Sequence, residues 1–497
     1  MQKCILADRL YVPEEYVNQQ ILDNFVYSLG EEEDGYDFGP FAADVSTVRT
    51  FNKVRLNGVV YYGFARGNIP KIGELFGHLP WEDKTSAPPM KSNLVFKGKL
   101  HTWESKKIGQ QEAVDAWLKR RNGIIKAPPR FGKTISSIYL IAKLGVKTII
   151  VTHQRDLLEQ FYKSFVSFTN AVDLQELRPN QHKKDATGRV FGFFEDYDNP
   201  EELDVCLLCW QTFASKFGDE RIRKYATTWG FVIVDEVHRV GGLIYAKTVN
   251  RIQARYRLGL TGTVERTDGR EFLLKDIIGP VIAEGKVHTI PCKVMVVKTG
   301  IKVAHGFGEP LAYLFKKLYK ATGRMDIILE YLEKDIAEGR YICFAFHRCS
   351  IEQLKHWTKK LQLLGIKAES FFGSCFDREG VLARARSGET QVLVCNQQML
   401  TGIDIPRWNT YYSAFPSANV VFNEQNQLSG NFYQEFSRIR TPFDYGDGKM
   451  KQVGIIRDFV DSNTFCYGSY QKRYKAYKNQ DFEIEVTTIA TKPLRLD

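Results

Sequence analysis

The chain has 497 residues, a formal net charge of +11 and a pI of about 9.0. Hydrophobic residues make up 43% and charged residues 26%, which is ordinary for a soluble globular protein and excludes a chain too polar to form cores. At roughly 100–200 residues per domain, about three domains are expected. The basic balance favours an anionic partner, nucleic acid foremost, although a merely basic enzyme would carry the same charge.

Residues 1–98 are predicted to form a small N-terminal α+β accessory domain. Segment 1–45 holds two Lys/Arg and ten Asp/Glu residues, whereas 46–98 holds eight and three. Short aromatic and β-branched runs predict strands, and the polar stretch 81–93 is typical of a linker. The mixture of bases and aromatics predicts a surface that binds duplex DNA, while a half-buried sheet with charged outer positions explains the same alternation; the candidate contacts are Arg49, Lys53, Arg55 and Arg66.

Residues 99–298 and 299–465 each alternate apolar strands with amphipathic helices. Such alternation predicts two α/β blocks in tandem, each with a parallel sheet covered by helices on both faces. The predicted strands lie at 123–127, 147–153, 205–210 and 230–236 in the first block and at 341–346, 391–396, 410–415 and 453–459 in the second. Residues 466–497 are predicted to be a C-terminal tail whose tyrosines pack on the second block, with stacking on single strands as the alternative.

The cysteine spacing and the apolar runs indicate the cellular compartment of the protein. The nine cysteines are scattered, and the pair Cys206 and Cys209 lies in an apolar run, where buried strand residues are a better interpretation than a zinc site. Unpaired cysteines suit a reducing compartment. The N-terminus has no signal-peptide pattern, and no run of about 18 apolar residues occurs. We therefore expect a cytoplasmic protein that does not associate with membranes.

A phosphate-binding loop is predicted between the first strand of the first block and the helix that follows. The loop ends in Gly132, Lys133 and Thr134, with a strand before and a helix after, as the P-loop requires. Backbone N–H groups and the dipole at the helix start favour phosphate. Lys133 would neutralise the β- and γ-phosphates of ATP, and the Thr134 hydroxyl would ligate Mg²⁺. Pro129, Arg130 and Phe131 complete the loop, and Ala127 stands where the pattern begins with glycine.

Two adjacent acids end the buried strand about one hundred residues later. Asp235 can hold Mg²⁺ through its water shell, and Glu236 can polarise the attacking water as general base. Two solvated acids at a strand end are the alternative. His238 is expected nearby as a coupling residue, together with the short hydroxyl-bearing turn that follows the next apolar strand; its members are Thr261, Gly262 and Thr263.

In order and spacing, these segments resemble superfamily 2 helicases over residues 100–460. The matching segments are APPRFGKT (127–134, motif I), IIVTHQRDLLEQ (149–160, motif Ia), CWQTF (209–213, the strand before the box), DEVH (235–238, motif II of DEAH type), LTGT (260–263, motif III), CFAFHRCSIEQL (343–354, motif IV), LTGIDIP (400–406, motif V) and QEFSRIR (434–440, motif VI). The resemblance implies two RecA-like lobes and an ATP-dependent DNA helicase that uses ATP and Mg²⁺.

The same resemblance implies roles for single residues. Gln110 stands where the family places a glutamine that reads adenine, and its usual aromatic neighbour is Gly109 here. Arg438 would be the arginine finger, with Arg440 as the alternative. Gly402, Asp404 and Gln434 would serve the nucleotide from the second lobe. The candidate contacts to the DNA backbone, each of which could equally be a solvated loop residue, are His153, Gln154, Arg155, Thr212, Arg266, Arg348 and Thr401.

The N-terminal segments 34–41 and 53–77 are similar to the accessory domain of phage recombination and branch-migration helicases. This resemblance implies remodelling of forks, Holliday junctions and displaced-strand loops, with binding that is blind to sequence and sensitive to salt. It also implies a host bacterial cytoplasm if a phage encodes the chain, and a monomer or weak oligomer. An ATP-switched binding subunit of a larger restriction or repair complex, and an RNA helicase, are the competing hypotheses.

Overall fold

A computed structural model describes most of the chain in two compact units, Met1–Val287 and His288–Asp497. All structural statements below concern the described residues, which are 2–28, 47–128, 130–153, 155–171, 190–194, 200–210, 224–238, 249–262, 264, 270–306, 308–346, 350–373, 375–396, 405–414, 421–422, 428–429, 436–446 and 448–489.

The first unit opens with a five-stranded sheet in the order β5-β6-β2-β1-β7, in which only the pair β1 and β7 is parallel. Its strands are β1 (Cys4–Leu6), β2 (Leu10–Pro13), β5 (Phe51–Leu56), β6 (Val59–Phe64) and β7 (Trp81–Asp83), and β3 (Val26–Ser28) pairs separately with β4 (Thr47–Arg49). Helices α1 (Gln19–Asp23) and α2 (Ile69–Phe76) accompany the sheet. Leu10, Val12, Phe25, Phe64 and Ile72 form its core.

The rest of the first unit is built on a seven-stranded parallel sheet in the order β10-β11-β9-β12-β13-β8-β14. Its strands are β8 (Asn122–Lys126), β9 (Thr148–Thr152), β10 (Phe191–Phe193), β11 (Val205–Cys209), β12 (Phe231–Asp235), β13 (Tyr256–Thr261) and β14 (Val281–Glu284). The helices are α3 (Trp103–Lys106), α4 (Gln110–Arg120), α5 (Lys133–Leu144), α6 (Arg155–Phe168) and α7 (Glu271–Ile277). Because the strands are parallel, all their carboxyl ends lie at one edge.

The second unit is a second seven-stranded parallel sheet, in the order β17-β18-β16-β19-β22-β15-β23. Its strands are β15 (Cys292–Lys298), β16 (Ile342–Phe346), β17 (Ala368–Phe371), β18 (Val392–Asn396), β19 (Thr410–Ser413), β22 (Gly454–Val460) and β23 (Glu483–Thr488), beside a short antiparallel pair, β20 (Val421–Phe422) and β21 (Leu428–Ser429). The helices are α8 (Leu311–Lys320), α9 (Thr322–Ala337), α10 (Ile351–Leu363), α11 (Arg378–Ser387) and α12 (Thr464–Asn479).

The predicted fold class is confirmed, since two parallel α/β sheets of the RecA type follow a small mixed sheet. Two predicted boundaries differ from the structure. Strand β15 lies before residue 299, yet it pairs with β22 and β23 and therefore belongs to the second unit. The supposed tail after 465 is integral to that unit, because β23 completes the sheet. Tyr470 and Tyr477 of α12 are buried, which confirms the packing interpretation of the tyrosines.

The N-terminal sheet is fastened to the parallel sheet of the first unit by arginines. Arg257, on β13, is fully buried and donates hydrogen bonds to the carbonyl oxygens of Asp8 (3.2 Å), Ile252 (2.9 Å) and Ile277 (2.8 Å). Tyr27 stacks on Phe272 with ring centroids 3.9 Å apart. These contacts join the first 98 residues to the lobe that follows them.

Arg66 takes part in the same attachment. It is 4% exposed, and its guanidinium donates to the carbonyl oxygens of Ala254 and Arg255. A phosphate contact requires a solvent-facing group, so this placement does not fit the DNA-binding role predicted for Arg66. The charged residues of β5 alternate with apolar ones and face solvent, whereas Arg66, which follows β6, points inward.

Candidate nucleotide and nucleic-acid site

The phosphate-binding loop connects β8 to α5, as predicted. Lys133 is the first residue of α5, and its Nζ donates to the carbonyl oxygen of Ala127 at 3.2 Å. Gly132 caps the helix with φ +84°, in the left-handed region that favours glycine. A Cβ at this position would also collide with the amide of Gln110. Both constraints explain why the residue before the lysine is glycine.

Gln110 holds the loop against helix α4. It is 3% exposed, its Nε2 donates to the carbonyl oxygen of Phe131 at 2.7 Å, and its Oε1 accepts from the backbone N–H of His101 at 3.0 Å. Both ends of the amide are thus engaged within the protein. The adenine-reading role implied by the family pattern stays a prediction, and the observed role of Gln110 is to fix the loop.

The two acids meet the lysine at the carboxyl edge of the sheet. Asp235 is the last residue of β12, and its Oδ1 accepts from the backbone N–H of Glu236 at 3.0 Å. Glu236 has φ +49°, a left-handed conformation that costs a non-glycine residue about 1–2 kcal/mol. In that conformation Oε1 of Glu236 lies 4.0 Å from Nζ of Lys133. Both side chains are mostly buried, at 21% and 15% exposed.

The pKa values of the two carboxyl groups are shifted in opposite directions. Burial, together with the adjacent Glu236 carboxylate, raises the pKa of Asp235 to about 6. Burial would raise the pKa of Glu236 too, but the Lys133 ammonium, His238 and His153 overcome it and hold the pKa well below its usual range. Two neighbouring acids with pKa values pushed apart are typical of a pair that divides two chemical tasks.

His238 links the acids to the turn after β13. Its Nδ1 lies 3.2 Å from Oε2 of Glu236 and 3.0 Å from Oγ1 of Thr261. Thr261 is fully buried, and its carbonyl oxygen accepts from the backbone N–H of Ala127 in the phosphate-binding loop at 2.8 Å. Gly262 follows it and is buried. The predicted coupling residues His238 and Thr261 therefore connect the acids with the loop.

The residues present fit ATP with Mg²⁺. Lys133 supplies a cation at the start of a twelve-residue helix, where backbone N–H groups and the dipole favour phosphate. Thr134 on the next position and Asp235 offer the hydroxyl and carboxylate oxygens that Mg²⁺ prefers. Among the described residues no group of three or more His, Cys, Asp or Glu side chains is arranged to hold a metal, and Cys206 and Cys209 are strand residues of β11.

The residues predicted to contact the DNA backbone have different placements. His153 is 8% exposed and close enough to influence Glu236, so it lies beside the acids rather than on an open surface. Arg155 begins α6. Arg49, Lys53 and Arg55 are exposed on β4 and β5. The predicted site residues that lie outside the described part of the chain are Pro129, Gln154, Thr212, Thr263, Arg266, Arg348, Thr401, Gly402, Asp404 and Gln434.

The two candidate arginines of the second unit lie in one short helical turn and differ in their contacts. Arg440 donates from Nη2 to Oγ1 of Thr289 at 3.0 Å and from Nε to the carbonyl oxygen of Ile290 at 3.3 Å, and its guanidinium lies 5.0 Å from the ring centroid of Phe482. Arg438 is 7% exposed in the same turn. Arg440 therefore binds the residues that directly precede β15.

Comparison with known proteins finds one matching family model and several relatives of low sequence identity. Residues 107–266 match the family model described as the res subunit of type III restriction enzymes. The chain is 24% identical over 339 residues to the DNA 3'-5' translocase XPB2 of Sulfurisphaera tokodaii, covering 60% of this chain and 72% of that protein. It is 24% identical over 410 residues to the DNA 3'-5' helicase XPB of Kineococcus radiotolerans, covering 76% and 63%.

One solved structure has a related architecture. A fragment of a putative HsdR subunit of a type I restriction enzyme from Vibrio vulnificus YJ016 aligns with a TM-score of 0.50 at 15% identity, covering 76% of this chain and 68% of that one. The T4 UvsW crystal structure aligns over 98% of this chain and 99% of its own, at 16% identity and a TM-score of 0.35. None of the described helices is long and apolar enough to cross a membrane.

Proposed function

We propose that the chain is an ATP-dependent DNA helicase or translocase of superfamily 2 that remodels branched DNA. The match of residues 107–266 to the res subunit model and the likeness to named DNA helicases and translocases support this proposal. The observation that carries the proposal is the convergence of Lys133, Glu236, His238 and Thr261 at one edge of a parallel sheet. A lysine and a carboxylate that meet at the start of a helix suit phosphate chemistry, and the histidine provides a route from that chemistry to the rest of the lobe.

Each residue has a distinct task in this proposal. Lys133 binds the β- and γ-phosphates, and Thr134 and Asp235 hold Mg²⁺, which supplies neutralisation of the developing phosphate charge. Glu236 orients the attacking water and accepts its proton at a carboxylate oxygen, a task for which its low pKa keeps it ionised. Arg438 supplies the charge-stabilising arginine. Buried Thr261 and half-buried His238 flank the acids, and their hydrogen bond connects Glu236 with the next strand.

The preference for branched DNA rests on the N-terminal sheet. Its exposed residues Lys53 and Arg55 lie on β5, and Tyr62 on β6 lies below the ammonium of Lys53 at 5.5 Å. Such a surface offers phosphate contacts that carry no sequence information. Because the sheet is fastened to the parallel sheet of its unit through Arg257, a duplex arm held there keeps a fixed position relative to the phosphate-binding loop. We propose that one arm of a fork or junction binds to this surface.

The names of the two relatives support the proposal that the chain moves along DNA. The two quoted above are named as a DNA translocase and a DNA helicase with 3'-5' polarity. We propose the same class of substrate for this chain, together with intracellular action on phage or host DNA. A likeness to phage recombination helicases in the N-terminal segments supports the finer proposal of branch migration at Holliday junctions and displaced-strand loops.

The decisive experiment measures ATP hydrolysis with forked DNA, Holliday junctions, linear duplex, single-stranded DNA and RNA, each at two salt concentrations. We expect the forked and four-way substrates to stimulate hydrolysis most, and stimulation to fall steeply with salt. Strand separation and branch migration on the same substrates test whether hydrolysis drives movement. Stimulation by RNA alone would replace the DNA proposal with an RNA helicase.

A second candidate function is an ATP-switched binding subunit of a larger restriction complex. The match to the res subunit model and the fold likeness to an HsdR fragment favour it. Such a subunit would hydrolyse ATP on DNA but would not separate strands or migrate branches by itself. A triplex-displacement assay, in which a motor strips a third strand from a duplex as it advances, distinguishes a translocating enzyme from a switch.

A further inference from the structure

Helix α12 carries bases and tyrosines but no acid. Its sixteen residues include four bases and four tyrosines, and neither aspartate nor glutamate occurs among them. Helix α9 of the same unit also has sixteen residues, but it carries four acids and two bases, and its Lys334 lies 2.7 Å from Glu330. Solvated helices usually mix the two signs of charge in this way, because such pairs stabilise them. The composition of α12 therefore differs from that of an ordinary solvated helix.

The inner side of α12 is fixed to the second sheet. Arg473 is fully buried, and its Nε and Nη2 donate to the two oxygens of the Asp458 carboxylate on β22, each at 2.8 Å. The hydroxyl of Tyr477 donates to the same carboxylate at 2.9 Å, and Tyr470 is also buried. A bidentate pair of this kind restricts the rotation of the helix about its own axis. The residues on the outer side therefore point in a defined direction.

The outer side of α12 presents two tyrosine rings and three lysines. We call this set the α12 stripe, and its members are Tyr467, Lys472, Tyr474, Lys475 and Lys478. Tyr467 is 46% exposed, the three lysines are exposed, and Tyr474 is half-buried. The lysines follow one another at intervals of three residues, so they are neighbours on the helix surface. The ammonium of Lys478 lies 5.6 Å from the ring centroid of Tyr474. Cations and rings thus share a surface that extends for about 16 Å along the helix.

The α12 stripe begins at the carboxyl edge of the second sheet. Helix α12 connects β22 with β23, and both strands are parallel to β15, so the helix starts at the carboxyl edge and returns toward the amino edge. Asn463, which precedes the helix, accepts from the backbone N–H of Val303 at 3.1 Å and donates to its carbonyl oxygen at 2.8 Å. Val303 follows the carboxyl end of β15, so these bonds hold the start of the helix at that edge.

We propose that the α12 stripe binds the phosphates of DNA. A ridge of lysines on a helix without acids is complementary in charge to a polyanion, and tyrosine hydroxyls are donors that phosphate oxygens accept. Phosphate contacts carry no sequence information, which suits a motor that is indifferent to sequence. The inference rests on the proposed function, which it deepens by giving the second unit a DNA contact in addition to the one proposed for the N-terminal sheet of the first.

The test compares two double variants of the full chain. Lys472→Ala with Lys478→Ala removes two cations of the α12 stripe. The matched control, Lys316→Ala with Lys359→Ala, removes two exposed lysines of the same unit and therefore the same charge. Lys316 lies on α8 and Lys359 on α10, and these helices pack on one face of the second sheet, whereas the buried tyrosines of α12 pack on the other.

Affinity for blunt duplex and for single-stranded oligonucleotides is measured by fluorescence anisotropy over a range of salt concentrations. At low salt the stripe variant should bind about tenfold more weakly or less, and the control should bind like the wild type. The slope of log affinity against log salt should fall by about 1.8 on duplex or about 1.4 on single strands, at about 0.9 or 0.7 for each lost contact. The substrate whose slope falls shows whether paired or unpaired DNA lies on the stripe. Equal thermal melting of the three proteins shows that they are folded.

Lysine reactivity locates the contact on the wild-type protein. Acetylation by an N-hydroxysuccinimide ester is followed residue by residue with mass spectrometry, with and without DNA. We expect DNA to lower the acetylation of Lys472 and Lys478 and to leave that of Lys316 and Lys359 unchanged, because a bound phosphate backbone covers only the first pair.

The negative results have different meanings. If the wild type binds DNA and the stripe variant binds it with the same affinity and salt slope, the inference is overturned while the motor stands. Equal acetylation of Lys472 and Lys478 with and without DNA overturns it as well. If the stripe variant loses only binding to vesicles that contain phosphatidylserine, the stripe contacts lipid and the DNA inference is rejected. If the wild type binds no nucleic acid and hydrolyses no ATP, the proposed function itself fails.

Discussion

Nδ1 of His238 and Oγ1 of Thr261 are joined by a hydrogen bond of 3.0 Å that connects the strand carrying the acids with the next strand of the sheet. His238 also lies 3.2 Å from Oε2 of Glu236, so one ring nitrogen faces both the proposed general base and a buried hydroxyl. His238 is therefore placed to couple Glu236 with the turn after β13.

We expect Thr261→Val and His238→Ala to retain hydrolysis without DNA while losing about tenfold or more of the stimulation by forked DNA, because each change removes the link and not the base. The double variant should lose no more than the worse single variant, since the two residues act through one bond. Stimulated and unstimulated steady-state hydrolysis measure both quantities. Additive losses would contradict coupling through this hydrogen bond.

Glu236→Gln should bind ATP and DNA with near-normal affinity and hydrolyse ATP about 10²- to 10⁴-fold more slowly, because the amide cannot accept the proton of the attacking water. Hydrolysis is followed by phosphate release and binding by a fluorescent nucleotide. Glu284→Gln is the matched control, since Glu284 is an exposed acid at the end of β14 in the same sheet. Normal hydrolysis by Glu236→Gln would remove Glu236 from its assigned role.

Alanine substitutions of the two arginines of motif VI should have different effects, one on the kcat for ATP and the other on thermal stability. Arg438→Ala is expected to lower the kcat for ATP about 10²-fold or more at temperatures at which the variant stays folded. Arg440→Ala should mainly lower thermal stability, because its contacts with Thr289, Ile290 and Phe482 hold the start of the second sheet. Steady-state kinetics beside thermal melting gives the comparison. The reverse pattern would make Arg440 the finger.

Asp276 gives the first unit a predictable pH dependence. Burial raises the pKa of this carboxyl against the opposing effect of Thr50, Asn68, Lys71 and Tyr27. The folded state therefore holds the proton more tightly than the unfolded state, and the stability that protonated Asp276 contributes is complete below about pH 4 and is lost as pH rises through the raised pKa.

Asp276→Asn should abolish this loss. The amide oxygen can still accept from the Tyr27 hydroxyl, which lies 3.3 Å from Oδ1 in the wild type. Denaturant unfolding followed by tryptophan fluorescence should show the variant gaining stability over the wild type as pH rises from 4 to 7. Asp115→Asn, an exposed change on α4, should leave the profile of the wild type unaltered.

The basic residues of the N-terminal sheet should divide into binding and packing roles. Arg55→Ala is expected to weaken binding to all DNA sequences alike and to lower the slope of log affinity against log salt by about 0.9. Lys53→Ala should do less, because Lys53 already pairs with Glu14 at 2.5 Å. Arg66→Ala should cost about 1–3 kcal/mol of stability, since it leaves buried carbonyl groups of Ala254 and Arg255 without their donor. A salt titration and a denaturant melt on each variant make the measurement.

Strand–helix alternation and the loop and acid motifs were readable from the sequence because each depends on local signals. Lys133 follows a glycine at a helix start, and Asp235 and Glu236 end an apolar strand, so their convergence follows from parallel topology alone. The left-handed conformation of Glu236, which turns its carboxylate toward Lys133, leaves no mark on residue choice. A positive φ at a residue other than glycine is set by tertiary contacts, which a local pattern does not reveal.

Contacts distant in sequence explain where the prediction failed. Strand β15 falls within residues 99–298, which the sequence pattern assigns to the first block, because its partners, β22 and β23, lie more than 150 residues later. Arg66 reads as a surface charge because its acceptors are backbone carbonyl groups of residues 254 and 255, which no side-chain pattern reveals.

The buried guanidinium of Arg257 predicts that truncation of the N-terminal residues destabilises the first unit. Expression from residue 99 onward would delete the carbonyl group of Asp8 and open the cavity around a charge that has no carboxylate among its hydrogen-bond acceptors. The shortened product should therefore precipitate or melt early rather than behave as a minimal motor. The N-terminal sheet is part of the folding unit of the first lobe, and shuffling it between relatives would require moving Arg257 and its acceptors as well.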